Sequence, residues 1–152
     1  MLMKNTLIVR FCILCLIICL PYIGTSQVAI VKDINTQPAL VGTALSSMVE
    51  LNGVLFFTFS DGVHGSELWK SDGTEAGTVI VKDIRLGKFG SSPQGLININ
   101  GTIFFAADDG VHGSELWKSD GTETGTVMVK NINIANSSSS PSNFTDVNGT
   151  LF

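Results

Sequence analysis

The chain has 152 residues, 44% of them hydrophobic, and a formal net charge of −4. No run of Lys or Arg supplies a nucleic-acid surface, and the mild acidity bears on solubility rather than on fold.

In chain order, the first predicted element is a signal peptide over residues 1–26. Lys4 and Arg10 give it a positive flank. Phe11–Ile23 (FCILCLIICLPYI) is an apolar run of 13 residues, and Gly24-Thr25-Ser26 offers the small residues a signal peptidase needs. The run falls short of the roughly 20 residues that a spanning helix requires, so contact with the membrane is expected only during export. All three cysteines, Cys12, Cys15 and Cys19, fall inside this segment, and Ile18 before Cys19 does not suit a lipoprotein signal. A mature chain starting at Gln27 would have no cysteine, which excludes disulfides and cysteine-ligated zinc. Cleavage would remove two positive charges and no acid, taking the net charge from −4 to −6. The expected localisation is secreted, extracellular or cell-surface.

The mature chain is built on a repeat. Asp61–Ile84 (DGVHGSELWKSDGTEAGTVIVKDI) returns 48 residues later as Asp109–Ile132 (DGVHGSELWKSDGTETGTVMVKNI), differing only at Ala76/Thr124, Ile80/Met128 and Asp83/Asn131. Near-identity at such a period signals one supersecondary unit stacked on its own kind. Asn-Gly recurs at Asn52-Gly53, Asn100-Gly101 and Asn148-Gly149 between short apolar runs. This dipeptide suits a two-residue hairpin turn, whose central positions both need positive φ.

The flanks predict four strands per unit. In the first copy these are Met48–Asn52, Val54–Ser60, Ser66–Ser71 and Thr78–Ile84. In the second, Leu96–Asn100 and Thr102–Ala107 open the same series. Four antiparallel strands in this length are the size of a propeller blade. The predicted fold class is therefore all-β, a partial β-propeller of four-stranded antiparallel blades. Residues 27–46 form a fourth-type strand and linker, 47–94 the first blade, 95–142 the second, and 143–152 the start of a truncated third. Val28–Ile34 (VAIVKDI) matches the fourth strand without its three predecessors, as a strand closing the last blade of a ring would. The third copy stops at Phe152, so the reading is of a partial array. Lys88–Gln94 and Asn136–Pro141 read as exposed connections between blades.

The motifs ELWKSDGTEAGT and ELWKSDGTETGT, each followed by VKDI or VKNI, closely resemble the ELWxxDGT repeat family of bacterial exported proteins. Glu67-Leu68-Trp69, Asp72-Gly73-Thr74 and Gly77-Thr78 carry the likeness, as do Glu115-Leu116-Trp117, Asp120-Gly121-Thr122 and Gly125-Thr126. The resemblance implies a β-propeller-like array on secreted or surface proteins and no established activity.

Several residues invite a chemical reading, and each has a structural alternative. Ser71-Asp72-Gly73-Thr74 looks like an Asp-box turn, in which the carboxylate accepts backbone N–H bonds and pins a hairpin. Asp72, Thr74 and Glu75 could instead offer oxygens to calcium, but one turn supplies fewer than the six to eight that calcium takes. His64 and Glu67, like His112 and Glu115, are spaced three apart and could form a metal or acid–base pair if they converged. No third ligand lies nearby, and a histidine that packs over its turn or bonds a backbone carbonyl is the simpler expectation. Trp69 and Trp117 could stack on sugars, but alternation along a short strand favours burial between sheets. Phe56 and Phe57, like Phe104 and Phe105, should point to opposite faces. Asn100, Asn136, Asn143 and Asn148 fit the N-x-S/T pattern, which carries meaning only on a eukaryotic secretory route.

Two near-identical units lack the asymmetry an active site normally shows. No nucleophile elbow, phosphate-cradling loop or paired acids at a defined separation stands out. No catalytic, cofactor-binding or metal residue is assigned, and no cofactor is expected. The leading expectation is a non-enzymatic binding or structural scaffold whose partner is an unknown extracellular ligand, glycan or protein. The alternative is a non-catalytic part of a glycan-processing hydrolase or lyase.

Overall fold

A computed structural model describes residues 47–133 and 137–152. The expected signal peptide and the Val28–Ile34 strand lie outside the described residues. Within them the fold is all-β: ten strands, no helix, and antiparallel pairing in every sheet. No helix among the described residues is long and apolar enough to cross a membrane.

The first sheet consists of β1 (Met48–Leu51), β2 (Val54–Ser60), β3 (Ser66–Ser71) and β4 (Val79–Lys82), side by side in chain order. Asn52 and Gly53 sit at φ 53° and 80°, the two positive values that a tight turn between β1 and β2 demands. The second sheet repeats this plan with β5 (Gln94–Ile99), β6 (Thr102–Asp108), β7 (Ser114–Ser119) and β8 (Val127–Lys130). Registers correspond as well. Phe57 pairs with Trp69 and Thr58 with Leu68 in the first sheet, while Phe105 pairs with Trp117 and Ala106 with Leu116 in the second. Both sheets carry an irregularity at the same place, between Leu68 and Trp69 and between Leu116 and Trp117. A short hairpin, β9 (Asp146–Val147) with β10 (Thr150–Leu151), follows.

Period-2 alternation gives each sheet two different faces. In the first, Phe57, Phe59 and Trp69 share one face, packed with Leu55 and Ile80. Phe56, Leu68 and Lys70 occupy the other. The sheets stack front to back rather than face to like face. Phe56, Leu68, Val81 and Ile84 of the first share one core with Ile103, Phe105, Ala107 and Trp117 of the second. So the Trp-bearing face of the second sheet covers the Lys-bearing face of the first. Polar groups at the margin fix the stack: Lys70 Nζ donates to Gly121 O at 2.8 Å, Lys82 Nζ to Thr126 O at 2.9 Å, and the Thr58 hydroxyl to Pro93 O at 2.8 Å.

Two expectations need correction. The fourth strand is shorter than Thr78–Ile84. Thr78 Oγ1 is turned to Ser71 Oγ and Thr74 O, Ile84 drops into the core, and the Arg85 N–H is taken by Glu67, so ladder pairing ends at Lys82. The connection expected to be exposed at Lys88–Gln94 is exposed only in part. Gly90, Ser91 and Pro93 are buried, because this stretch runs beside the start of β3 (a parallel bridge joins Ser66 and Gly90) and is held from beneath.

Candidate functional site

The polar residues that could carry chemistry cluster at three places in each sheet. The first is the turn before the third strand. Asp61 Oδ1 accepts the backbone N–H groups of Val63 (2.9 Å) and His64 (2.8 Å), and its Oδ2 meets His64 Nδ1 at 2.6 Å. A short acidic side chain capping its own loop in this way is an Asx-type turn. Burial opposes ionisation of Asp61, but the bonds from His64 and Val63 outweigh it and hold the carboxyl below its ordinary range. His64 is raised above its usual value, chiefly by its bond to Asp61, with the Asp83 and Glu67 charges adding to the effect. Asp109 and His112 repeat the arrangement, with Nδ1 to Oδ2 at 2.7 Å. The histidine therefore bonds to the carboxylate three residues before it, not to Glu67 or Glu115 three residues after. Glu67 lies inside β3 and is buried, whereas His64 lies in the turn before that strand and stays on the rim.

Glu67 is the second place. It lies in β3 with no exposed surface, and its carboxylate is a hub. It accepts from Arg85 N–H (3.1 Å), Ser91 N–H (2.7 Å) and the Ser91 hydroxyl. Glu115 does the same through Ile132 N–H (3.1 Å), Ser139 N–H (3.1 Å) and the Ser139 hydroxyl (2.6 Å). Desolvation leads at both but wins only at Glu67, whose pKa is raised. At Glu115 the bonds from Ser139 and Ile132 prevail and hold it low. The difference follows the stacking, because the chain around Glu67 lies under the second sheet, where Ser91 O also accepts Asp108 N–H. Each glutamate fastens the chain leaving the fourth strand back onto the third.

Third comes the turn after the third strand. Asp72 Oδ1 accepts the Thr74 N–H (2.9 Å) and its hydroxyl (2.7 Å), and Thr74 Oγ1 in turn accepts Gly77 N–H (2.9 Å). Asp120, Thr122 and Gly125 copy these bonds. The bonds from Thr74 and Thr122 keep both aspartates below the ordinary carboxylate range. The carboxylate lies so close to the Gly77 backbone that a Cβ there would overlap it. This is the local turn-pinning role expected from SDGT. Among the described residues, no three His, Cys, Asp or Glu side chains converge as a metal ion would require.

Trp69 and Trp117 are buried rather than open platforms. Trp69 meets Phe59 edge-on at 6.0 Å, and Trp117 lies in the core between the sheets. Phe56 and Phe105 join that core from opposite sides, while Phe57 lies on the outer face of the first sheet. A groove of about 470 Å³ beside the two SDGT turns is lined by Leu51, Val54, Phe56, Lys70, Asp72 and Asp120, among others.

Two relationships had no expectation behind them. Arg85 bonds Asp108 at 2.9 Å and lies 5.6 Å from the centre of the Phe89 ring. The Asp61–His64 pair had a legible signal, since D-x-x-H recurs unchanged in both copies. Arg85 offered none, because its partner is in the next sheet. Comparison with known protein families, curated proteins and solved structures finds no match to this chain.

Proposed function

We propose that this protein is a secreted or cell-surface scaffold of β-propeller-like modules, recurring every 48 residues, that binds an extracellular glycan or protein or serves a structural role. The resemblance of its ELWKSDGT segments to the ELWxxDGT family and the signal-like N-terminus support export. The observation that carries the reading is the use made of the candidate chemical groups. Asp61, Glu67 and Asp72 are each engaged by turn or connection groups, and the second sheet repeats each arrangement at Asp109, Glu115 and Asp120. Chemistry needs asymmetry; these sheets invest their polar groups in repeated construction.

Glycan arrays and cell-binding assays on the intact protein, run beside hydrolase and lyase turnover screens, test the proposal. Stable binding or a purely structural role without turnover is expected. Robust turnover without stable binding would overturn it.

A further inference from the structure

We infer that the outward face of the second sheet is a docking surface for a further four-stranded sheet, which would seat on it as the second sheet seats on the first. The inference rests on the stacked-module part of the proposed function and names the partner of that stack.

The case is a comparison within one molecule. On the inward-facing side of the first sheet, Val81 is 5% exposed and Ile84 9%, because the second sheet covers them. Val129 and Ile132 hold the same places in the second sheet and are 45% and 56% exposed. Phe56 and Leu68 are buried, whereas Phe104 and Leu116 are only half-buried. The lysines tell the same story. Lys70 and Lys82 reach across to the carbonyls of Gly121 and Thr126. Lys118 and Lys130, at matching positions, are exposed. An apolar sheet face flanked by two ammonium groups suits a partner that brings apolar side chains at its centre and turn carbonyls at its margin. The Trp-bearing face of such a sheet, with its SDGT turn, has both.

The occupant is set by continuity with an interface already formed. The hairpin β9–β10 repeats the turn geometry of the first two sheets, with Asn148 and Gly149 at φ 53° and 80°. It is seated beside the second sheet, where Asn100 Nδ2 donates to Gly149 O at 3.1 Å and the Phe144 ring lies over Gly95. The first two sheets are also joined at this edge, by a different pair, with Asn98 Nδ2 donating to Glu50 O at 2.9 Å. A second copy of this chain fits less well, because Phe57, Phe59 and Trp69 on the corresponding face of its first sheet have little surface to offer.

The test extends the full chain after Phe152 with the sequence of residues 105–133, its two lysines replaced by arginine so that Lys118 and Lys130 stay distinguishable, completing a third sheet, and follows lysine acetylation by mass spectrometry. Lys118 and Lys130 should react at least about fivefold more slowly in the extended chain, the protection expected of one net hydrogen bond. Val129→Asp, at a site exposed in the unextended chain, should restore fast labelling of both while Lys70 and Lys82 stay slow. Unchanged labelling, or an appended segment that stays unfolded by tryptophan fluorescence, overturns the inference. So does protection in the unextended chain that rises with protein concentration, which would assign the face to a second copy. If instead Lys70 and Lys82 react as fast as Lys118 and Lys130 in the unextended chain, the stacked-array reading itself fails.

Discussion

Glu67 and Ser91 are 24 residues apart in sequence, yet the glutamate carboxylate accepts both the backbone N–H and the hydroxyl of the serine in a site closed to solvent. The same bond pair joins Glu115 to Ser139. A strand residue thus dictates where the chain goes after the sheet is complete, and so where the next sheet starts.

Removing that carboxylate should loosen the joint. Glu67→Ala leaves two backbone N–H groups and a hydroxyl without their acceptor. Unsatisfied buried donors are costly, so urea unfolding should show a loss of about 3 kcal/mol. Glu115→Ala should lose less, because Ile132 and Ser139, which donate to it, are more open to solvent than the buried Ser91. A loss under about 1 kcal/mol at Glu67 would contradict the clamp.

The Asp61–His64 pair predicts a defined pH response. The folded-state pKa of His64 is raised above 6.5, so the pair's contribution is fully present below that value and fades as pH rises through the folded pKa. Asp61 is lowered from 3.8, so its contribution is present above that value and is lost on further acidification. The joint effect is therefore greatest between the two ordinary values. NMR titration of the His64 ring should give a midpoint above 6.5 that Asp61→Asn returns toward it. No change on that substitution would rule the pairing out.

Gly77→Ala should destabilise the protein by about 1–3 kcal/mol, since the added methyl meets a carboxylate held in place by two bonds. Adding Asp72→Ala should recover part of the loss, making the two changes non-additive. Strict additivity in a double-mutant cycle would show that the turn is not built around this approach.

Phe56 and Phe104 hold matching registers, opposite Lys70 and Lys118. Only Phe56 is covered by a neighbouring sheet. Phe56→Ala should cost about 3–5 kcal/mol in equilibrium unfolding, as for other buried aromatic truncations, and Phe104→Ala clearly less. Equal losses would argue against front-to-back stacking.

Much of this architecture was legible because it is local. The Asn-Gly dipeptides mark tight turns, and alternation over Val54–Ser60 and Thr102–Asp108 sends neighbouring phenylalanines to opposite faces. SDGT announced its own turn for the same reason, since Asp72 and Thr74 are two residues apart. What stayed hidden depends on contacts far along the chain. His64 sits midway between two acids, and only the direction of the strand decides that Asp61 is the partner and Glu67 goes inward. The burial of Ser91 and Pro93 could not be read from a Gly/Ser/Pro-rich stretch, whose composition looks like any solvated loop. Arg85 and Asp108 belong to different sheets, so their pairing exists only once the sheets stack.

The stacking itself is best tested by side-chain NOEs in the full-length protein with labelled phenylalanine and glycine. The Phe56 ring reaches the backbone of Gly121 in the next sheet. A cross-peak between the Phe56 ring protons and the Gly121 α-protons is the predicted result, with no equivalent partner for the Phe104 ring. Absence of that cross-peak, with both rings equally open to a solvent paramagnetic probe, would contradict the account.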